Sequence, residues 1–158
     1  MNHNSHTMGI LFMGPSPNVI RGKIESLGVL TLRRSDLKNV NARGFCIAAF
    51  PLPVIVFGSE SPAAQAFTLA HEFAHILLQT SAIVGQMTSA GGDANVRRVE
   101  EWCNRFAGAF LLPAPSLNHF FPIPAAPLPE IPDTRLDEIA ARFGVSPHAA
   151  LVRLVQLR

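Results

Sequence analysis

The sequence predicts an α+β fold, with a small antiparallel sheet packed on a central helix, a second long helix beside it and a C-terminal helix-turn-helix-like pair. Three observations carry that reading. Short apolar runs broken by prolines and polar stretches lie between residues 29 and 57, as strands of a small sheet would. The run Ala63 to Gln79 has no Gly or Pro and is apolar on nearly every side, which suits a helix in the interior. The 158 residues, 48% hydrophobic and 15% charged, are enough for one core and exclude wholesale disorder.

Residues 1–13 begin polar, with His3 and His6 and no basic lead into an apolar run, so they are no secretory signal. They are expected to be disordered or vector-derived, and residues 14–158 to form a single domain. Asn18 to Leu27 places Val19, Ile20, Ile24 and Leu27 at helical spacing, and Gly28 is a natural stop. Val29 to Arg33, Phe45 to Phe50 and Val54 to Phe57 are the expected strands. Ser61 before Pro62 is a good helix start, because a hydroxyl caps and proline at the first position gives up no needed N–H. Thr80 to Ala94, with Gly85, Gly91 and Gly92, is expected to be a loop. Asn95 to Leu112 resumes helical periodicity through Val99, Trp102, Cys103, Phe106 and Phe110. Seven prolines from Pro113 to Pro132 predict an extended connector. Thr134 with Asp137 is a capping-box-like start for the pair spanning 134–157, in which Gly144-Val-Ser146 makes the turn.

Composition excludes several functions. The net charge of +2 is too small for a surface built to grip nucleic acid. Cys46 and Cys103 make neither a disulfide scaffold nor a four-cysteine zinc site, and they fit a reducing, cytoplasmic setting. The longest apolar stretch, Gly44 to Gly58, contains Pro51 and Pro53 and is too short to span a bilayer.

The chemistry lies in His71-Glu72-Phe73-Ala74-His75, an HExxH motif inside the apolar helix. Positions four apart project from one helix face, so two imidazoles can reach one tetrahedral zinc, while Glu72 lies beside them to hold a metal-bound water. Two histidines and a glutamate satisfied only by backbone partners is the bland alternative. It would cost several kcal/mol in an apolar setting. A catalytic zinc needs a third protein ligand and an open position. Leu78 and Ser81 stand where a metzincin would have its glycine and third histidine, so the ligand must come from a later acidic residue. Asp93 lies among glycines. On a wheel of about 100° per residue, with Val99, Trp102, Cys103, Phe106 and Phe110 as the apolar direction, Glu100 falls on the rim and Glu101 about 160° away. Glu101 also sits between Arg97 and Arg105, the spacing of an exposed ion-pair ladder. Glu100 is therefore the expected third ligand, and Asn104, one turn on, can hydrogen-bond a ligand histidine or be a plain surface amide.

These residues resemble the ImmA/IrrE family of zinc metallopeptidases. The likeness runs from Gly14 to Leu157: Arg43-Gly-Phe-Cys46 with Val54-Ile-Val56 as a strand pair, Phe67-Thr-Leu-Ala-His-Glu72 with His75 as the zinc helix, Glu100-x-x-Cys103-Asn-x-Phe106-Ala107 and Leu111-Leu-Pro113 as the third-ligand helix, and Phe143-Gly-Val-Ser146 in the terminal pair. The resemblance implies a zincin-like fold and a cytoplasmic peptidase with one Zn2+ per chain. It implies as substrate a partner protein, a transcriptional repressor or antitoxin-like regulator. Cys103 and Trp102 depart from the family's usual residues, and there is no tyrosine to stabilise an oxyanion. His119 is a candidate for that role, against the plainer reading of a surface histidine.

The expected function is a zinc-dependent endopeptidase: zinc on His71, His75 and Glu100, with Glu72 as the base that activates the bound water. Its substrate is expected to lie along a sheet edge made by Phe45 to Phe50 and Val54 to Phe57. One alternative is a metal-bound sensor without turnover. The other is a DNA-binding regulator, since Ala140-x-x-x-Gly144-Val-Ser146 has repressor spacing, but Pro147, His148, Ala149 and Ala150 are poor base readers.

Overall fold

The computed structural model describes residues 14–80, 82–84, 94–122 and 131–157. The expectations for residues 1–13, for the glycines at 85, 91 and 92, for Asp93 and for residues 123–130 lie outside these. In chain order the elements are α1 (Pro17–Ser26), β1 (Leu30–Arg33), a 3-10 turn (Leu37–Val40), β2 (Gly44–Ile47), β3 (Val54–Phe57), α2 (Pro62–Leu77), β4 (Ala82–Val84), α3 (Ala94–Leu111), α4 (Ala114–Phe120), α5 (Asp133–Phe143) and α6 (Pro147–Gln156).

The α+β class holds, but the sheet is mixed. Its order is β1-β3-β2-β4, with β1 parallel to β3 and β2 antiparallel to both β3 and β4. The chain leaves β1 through the 3-10 turn and reaches β2 two places away, and the β2–β3 hairpin then folds β3 into the gap. Alternation within each strand is blind to that order. Further expectations fail. Ala82–Val84, inside the expected loop, pairs with β2 as an edge strand, so Gly44 faces Val84 and Cys46 faces Ala82. Because β2 and β3 each have neighbours on both sides, neither offers the edge expected to receive substrate; the edges are β1 and β4. In the expected connector, Ala114–Phe120 is helical, since Pro115 stands in the first turn where no N–H is required, and Leu117 is fully buried.

The helix α2 is the centre of the molecule. Ser61 Oγ accepts a hydrogen bond from the Ala64 N–H at 3.3 Å, and Pro62 follows it as expected. Ala66, Leu69, Ala70, Ala74 and Ile76 bury its flanks, and α2 packs on α1, α3, β2 and β3. Gly44 lets β2 come close, because a Cβ there would stand 2.5 Å from Thr68 Cγ2 and 2.9 Å from the Val56 carbonyl oxygen. At the C-terminal end, α5 starts at Asp133 behind Pro132 with no side-chain cap, so Thr134 lies inside the first turn and the capping box does not form. Gly144, at φ 67°, ends α5 in the left-handed conformation, and Ser146 Oγ caps α6 by accepting from the Ala149 N–H at 3.1 Å. Leu136, Ile139, Phe143, Ala150 and Leu154 join the pair to the same core as Ile20, Leu69 and Leu111.

Candidate metal centre

The HExxH residues occupy the buried middle of α2: His71 is 2% exposed, Glu72 0% and His75 1%. Glu100 comes to them from α3. His71 Nε2 and His75 Nε2 are 3.2 Å apart, Glu100 Oε2 is 3.3 Å from the first and Oε1 is 3.2 Å from the second. Ligand atoms about 2.0–2.1 Å from a tetrahedral zinc are roughly 3.3–3.4 Å from one another. The three side chains therefore already have the spacing of a tetrahedral face. Glu101, by contrast, points outward with its side chain 66% exposed and pairs with Arg105 at 3.4 Å.

Glu100 thus stands with the two histidines in a group that could hold a metal, but for a different reason than the wheel suggests. The buried face of α3 is made by Cys103, Ala107, Gly108 and Leu111, not by the aromatic residues. Trp102 and Phe110 are 42% and 39% exposed, and with Phe106 they form a half-exposed stacked row, at 5.5 and 6.1 Å between centroids. Against the true face, Glu100 is central rather than on the rim, because Cys103 and Ala107 lie about 60° and 20° from it on the wheel. Small residues, not large ones, let α3 approach α2 closely enough for a carboxylate to reach both imidazoles.

Burial shifts every titratable group here toward its neutral form. It lowers His71 to about 4, with His75 adding to the drop and the nearby Asn104 side chain opposing it. Burial lowers His75 as well, and raises Glu100. Glu72 is pushed up to about 8, chiefly by burial. Neither of its oxygens has a nitrogen or oxygen donor among the described residues, and the Cys46 thiol, a weak donor, offsets the rise only in part. Cys103, beside Glu100 and Glu72, is pushed up to about 12 by burial and by those carboxylates, so it stays a thiol. Two neutral imidazoles whose lone pairs converge with a carboxylate are a donor set that suits a borderline cation such as zinc. The group His71, His75 and Glu100 can hold a metal ion.

One hydrogen-bond partner orients the His75 imidazole. Thr80 Oγ1 lies 3.2 Å from His75 Nδ1 and donates its own proton to the His75 carbonyl oxygen at 3.3 Å. It is therefore an acceptor for Nδ1–H, which leaves the lone pair on Nε2, facing Glu100. Thr80 escaped the sequence reading, since it follows the helix and belongs to no motif. Asn104, one turn from Glu100, is exposed and lies near enough to His71 to bear on its protonation, but His71 Nδ1 has no hydrogen-bond partner among the described residues. His119 lies exposed on α4, edge-on to Phe120 at 4.8 Å between centroids, outside the metal-binding group.

Beside the centre is a cleft of about 690 Å³ between the first half of α2, the middle of α3 and α6. Phe67, Thr68 and Asn104 line it, and the Phe67 ring is 6.1 Å from that of His71.

Compared with known families, residues 24–155 match the IrrE N-terminal-like domain, a peptidase family. The chain belongs to this family. Among curated proteins, none matches the chain. The IrrE N-terminal-like domain takes in every element from β1 to α5 and nearly all of α6, so the terminal pair is part of the matched unit rather than an appendage. Membership makes the chain a peptidase-type hydrolase, and the buried His/His/Glu group supplies a place for a metal. No helix among the described residues is long and apolar enough to cross a membrane.

Proposed function

We propose that the protein is a zinc-dependent endopeptidase of the cytoplasm that cleaves a partner protein, a repressor-type or antitoxin-like regulator. The observation that carries the reading is the set of three ligand atoms 3.2–3.3 Å apart beside a buried carboxyl with no donor of ordinary strength. His71, His75 and Glu100 would hold one zinc ion, which when bound supplies Lewis acidity toward the scissile carbonyl and lowers the pKa of water at the site.

The chain's own residues do the rest. Glu72, ionised, takes a proton from the attacking water and passes it to the leaving amine nitrogen, and both transfers need a group whose pKa lies near the working pH. Burial holds Glu72 near about 8, and a cation beside it would draw that value down toward neutrality. Thr80 holds the His75 imidazole in the tautomer and orientation that leave its Nε2 free to bind. A binding-only sensor has no use for an acid at position 72. Reading of DNA by α6 is disfavoured, because Arg153 spends its Nε–H on the Leu112 carbonyl oxygen at 3.1 Å.

The test is Glu72→Gln, which keeps size and most hydrogen-bonding capacity while removing the base. It should retain one zinc per chain and lose cleavage of the partner regulator by about 10⁴-fold or more. If the cellular response persists in the variant and no cleavage is found with the wild type, the site is a sensor.

A further inference from the structure

The cleft beside the metal centre contains a basic group that the proposed chemistry does not use. Arg153, on α6, is partly buried there and is held by the single bond from its Nε to the Leu112 carbonyl oxygen at 3.1 Å. Among the described residues it has no carboxylate partner, and its remaining guanidinium N–H groups form a planar donor edge. Glu60 is the one acidic residue lining the cleft, and it is 3.7 Å from Arg43 at the mouth. The cleft therefore holds an uncompensated positive charge. Gln156, one turn from Arg153, has its Oε1 buried without a hydrogen-bond partner. Both side chains lie over Gly108, whose absent Cβ would be 3.6 Å from Gln156 Oε1 and 3.8 Å from Arg153 Cδ. The apolar side chains Phe67, Val145, Ala149 and Val152 share the wall with the polar Thr68, Asn104, Ser146 and His148.

We infer that this cleft is a specificity subsite that takes a carboxylate of the substrate polypeptide, an acidic side chain flanked by an apolar residue, on Arg153. The inference rests on the peptidase reading for its link to cleavage. A guanidinium already anchored through Nε presents its two terminal nitrogens in the geometry that pairs a carboxylate with two parallel hydrogen bonds. A buried amide oxygen without a partner matches a peptide N–H. Phe67, whose ring lies 6.1 Å from that of His71, and Asn104, one turn from Glu100, line the cleft, so a chain crossing the metal centre delivers its neighbouring residues to Arg153. The helix-turn-helix-like pair thus contributes a wall of the substrate site, with its basic residue turned inward.

The experiment measures binding of three fluorescein-labelled peptide pools to the zinc-loaded full chain carrying Glu72→Gln, by fluorescence polarisation. All pools have randomised apolar flanks: one has a central Glu and an amidated end, one a central Gln and an amidated end, and one a central Gln and a free C-terminal carboxylate. The Glu pool should bind at least about tenfold more tightly than the amidated Gln pool, and the added substitution Arg153→Gln should abolish that difference. Because Arg153 also caps the end of α3, Gln156→Glu serves as the second variant. It leaves the Leu112 contact in place, sets a negative charge beside the guanidinium, and should remove the preference while zinc content and thermal stability stay unchanged. A preference for the free-acid pool over the Glu pool would overturn the side-chain assignment in favour of a chain terminus. Equal binding of the two amidated pools, no binding, or a preference that survives both variants would overturn the subsite itself. Selective binding without any cleavage by the wild type would sink the peptidase reading alone.

Discussion

Burial acts in opposite senses on the acids and the imidazoles of the site, and this gives the metal-free chain a defined pH profile. Between about pH 4.5 and 6.5, unfolded His71 takes up a proton that the folded ring, lowered to about 4, refuses, so stability rises with pH. Over the same span folded Glu72, raised to about 8, keeps a proton that the unfolded side chain has lost, so stability falls with pH. The two trends oppose each other up to pH 6.5, with His75 and Glu100 adding one to each side. Above that only the carboxyl trend remains. Urea unfolding in the presence of a chelator should show a plateau and then a fall of up to about 2 kcal/mol from pH 6.5 to 8. The fall should vanish in Glu72→Gln; an equal fall in that variant would assign it elsewhere. Ligand roles separate at the same scale. Thr80→Val should weaken zinc binding by about 10–100-fold, since the His75 ring loses the acceptor that fixes its tautomer. Glu100→Ala should weaken it more strongly still, and Glu101→Ala should leave zinc titrations unchanged, its one ion pair being exposed.

The element scale shows where sequence is informative and where it is not. HExxH is local: its spacing and its helix decide its geometry, so His71, Glu72 and His75 could be placed without knowing any tertiary contact. Glu100 depends on which face of α3 is buried, and there bulk misled, because the close approach is made by Cys103, Ala107 and Gly108 while Trp102 and Phe110 stay half-exposed. The mixed sheet was illegible because strand order is a property of connections, not of patterns. β4 left only the three apolar residues Ala82 to Val84 as its trace, and Thr80, fixed by the turn between α2 and β4, had no trace at all. Gly44 is a case in which the packing makes a firm demand. Gly44→Ala forces its methyl against Thr68 Cγ2 and the Val56 carbonyl oxygen, and the added Cβ would lie 3.3 Å from Glu72 Oε1. The expected cost is about 1–3 kcal/mol of overpacking, read as a lower urea midpoint at unchanged m-value. If Glu72 is the base we propose, cleavage should fall beyond what that loss of stability explains, because the strand presses on its carboxyl.

At the scale of the whole molecule, the metal centre is a tie between α2, which touches α1, α3, β2 and β3, and α3, which also carries α6. In the metal-free chain that tie is three polar groups facing one another at 3.2–3.3 Å, and any two of them that both present lone pairs repel unless a proton or a cation lies between them. Binding to the folded chain alone stabilises it by mass action, about 2.7 kcal/mol at free zinc one hundred times Kd, or roughly 5–10 °C in Tm for a chain of this size. Zinc should therefore raise Tm by that amount in the wild type and in Glu72→Gln, and chelation should reverse it. His71→Ala and Glu100→Ala should lose the shift. Amide exchange should locate the effect: protection should rise in the second half of α2 and in α3 around Glu100, the two segments the ligands join. The pair α5 and α6, which supplies no ligand, should change little. An equal Tm rise in His71→Ala, or protection spread evenly through α5 and α6, would mean that zinc binds somewhere other than between these two helices.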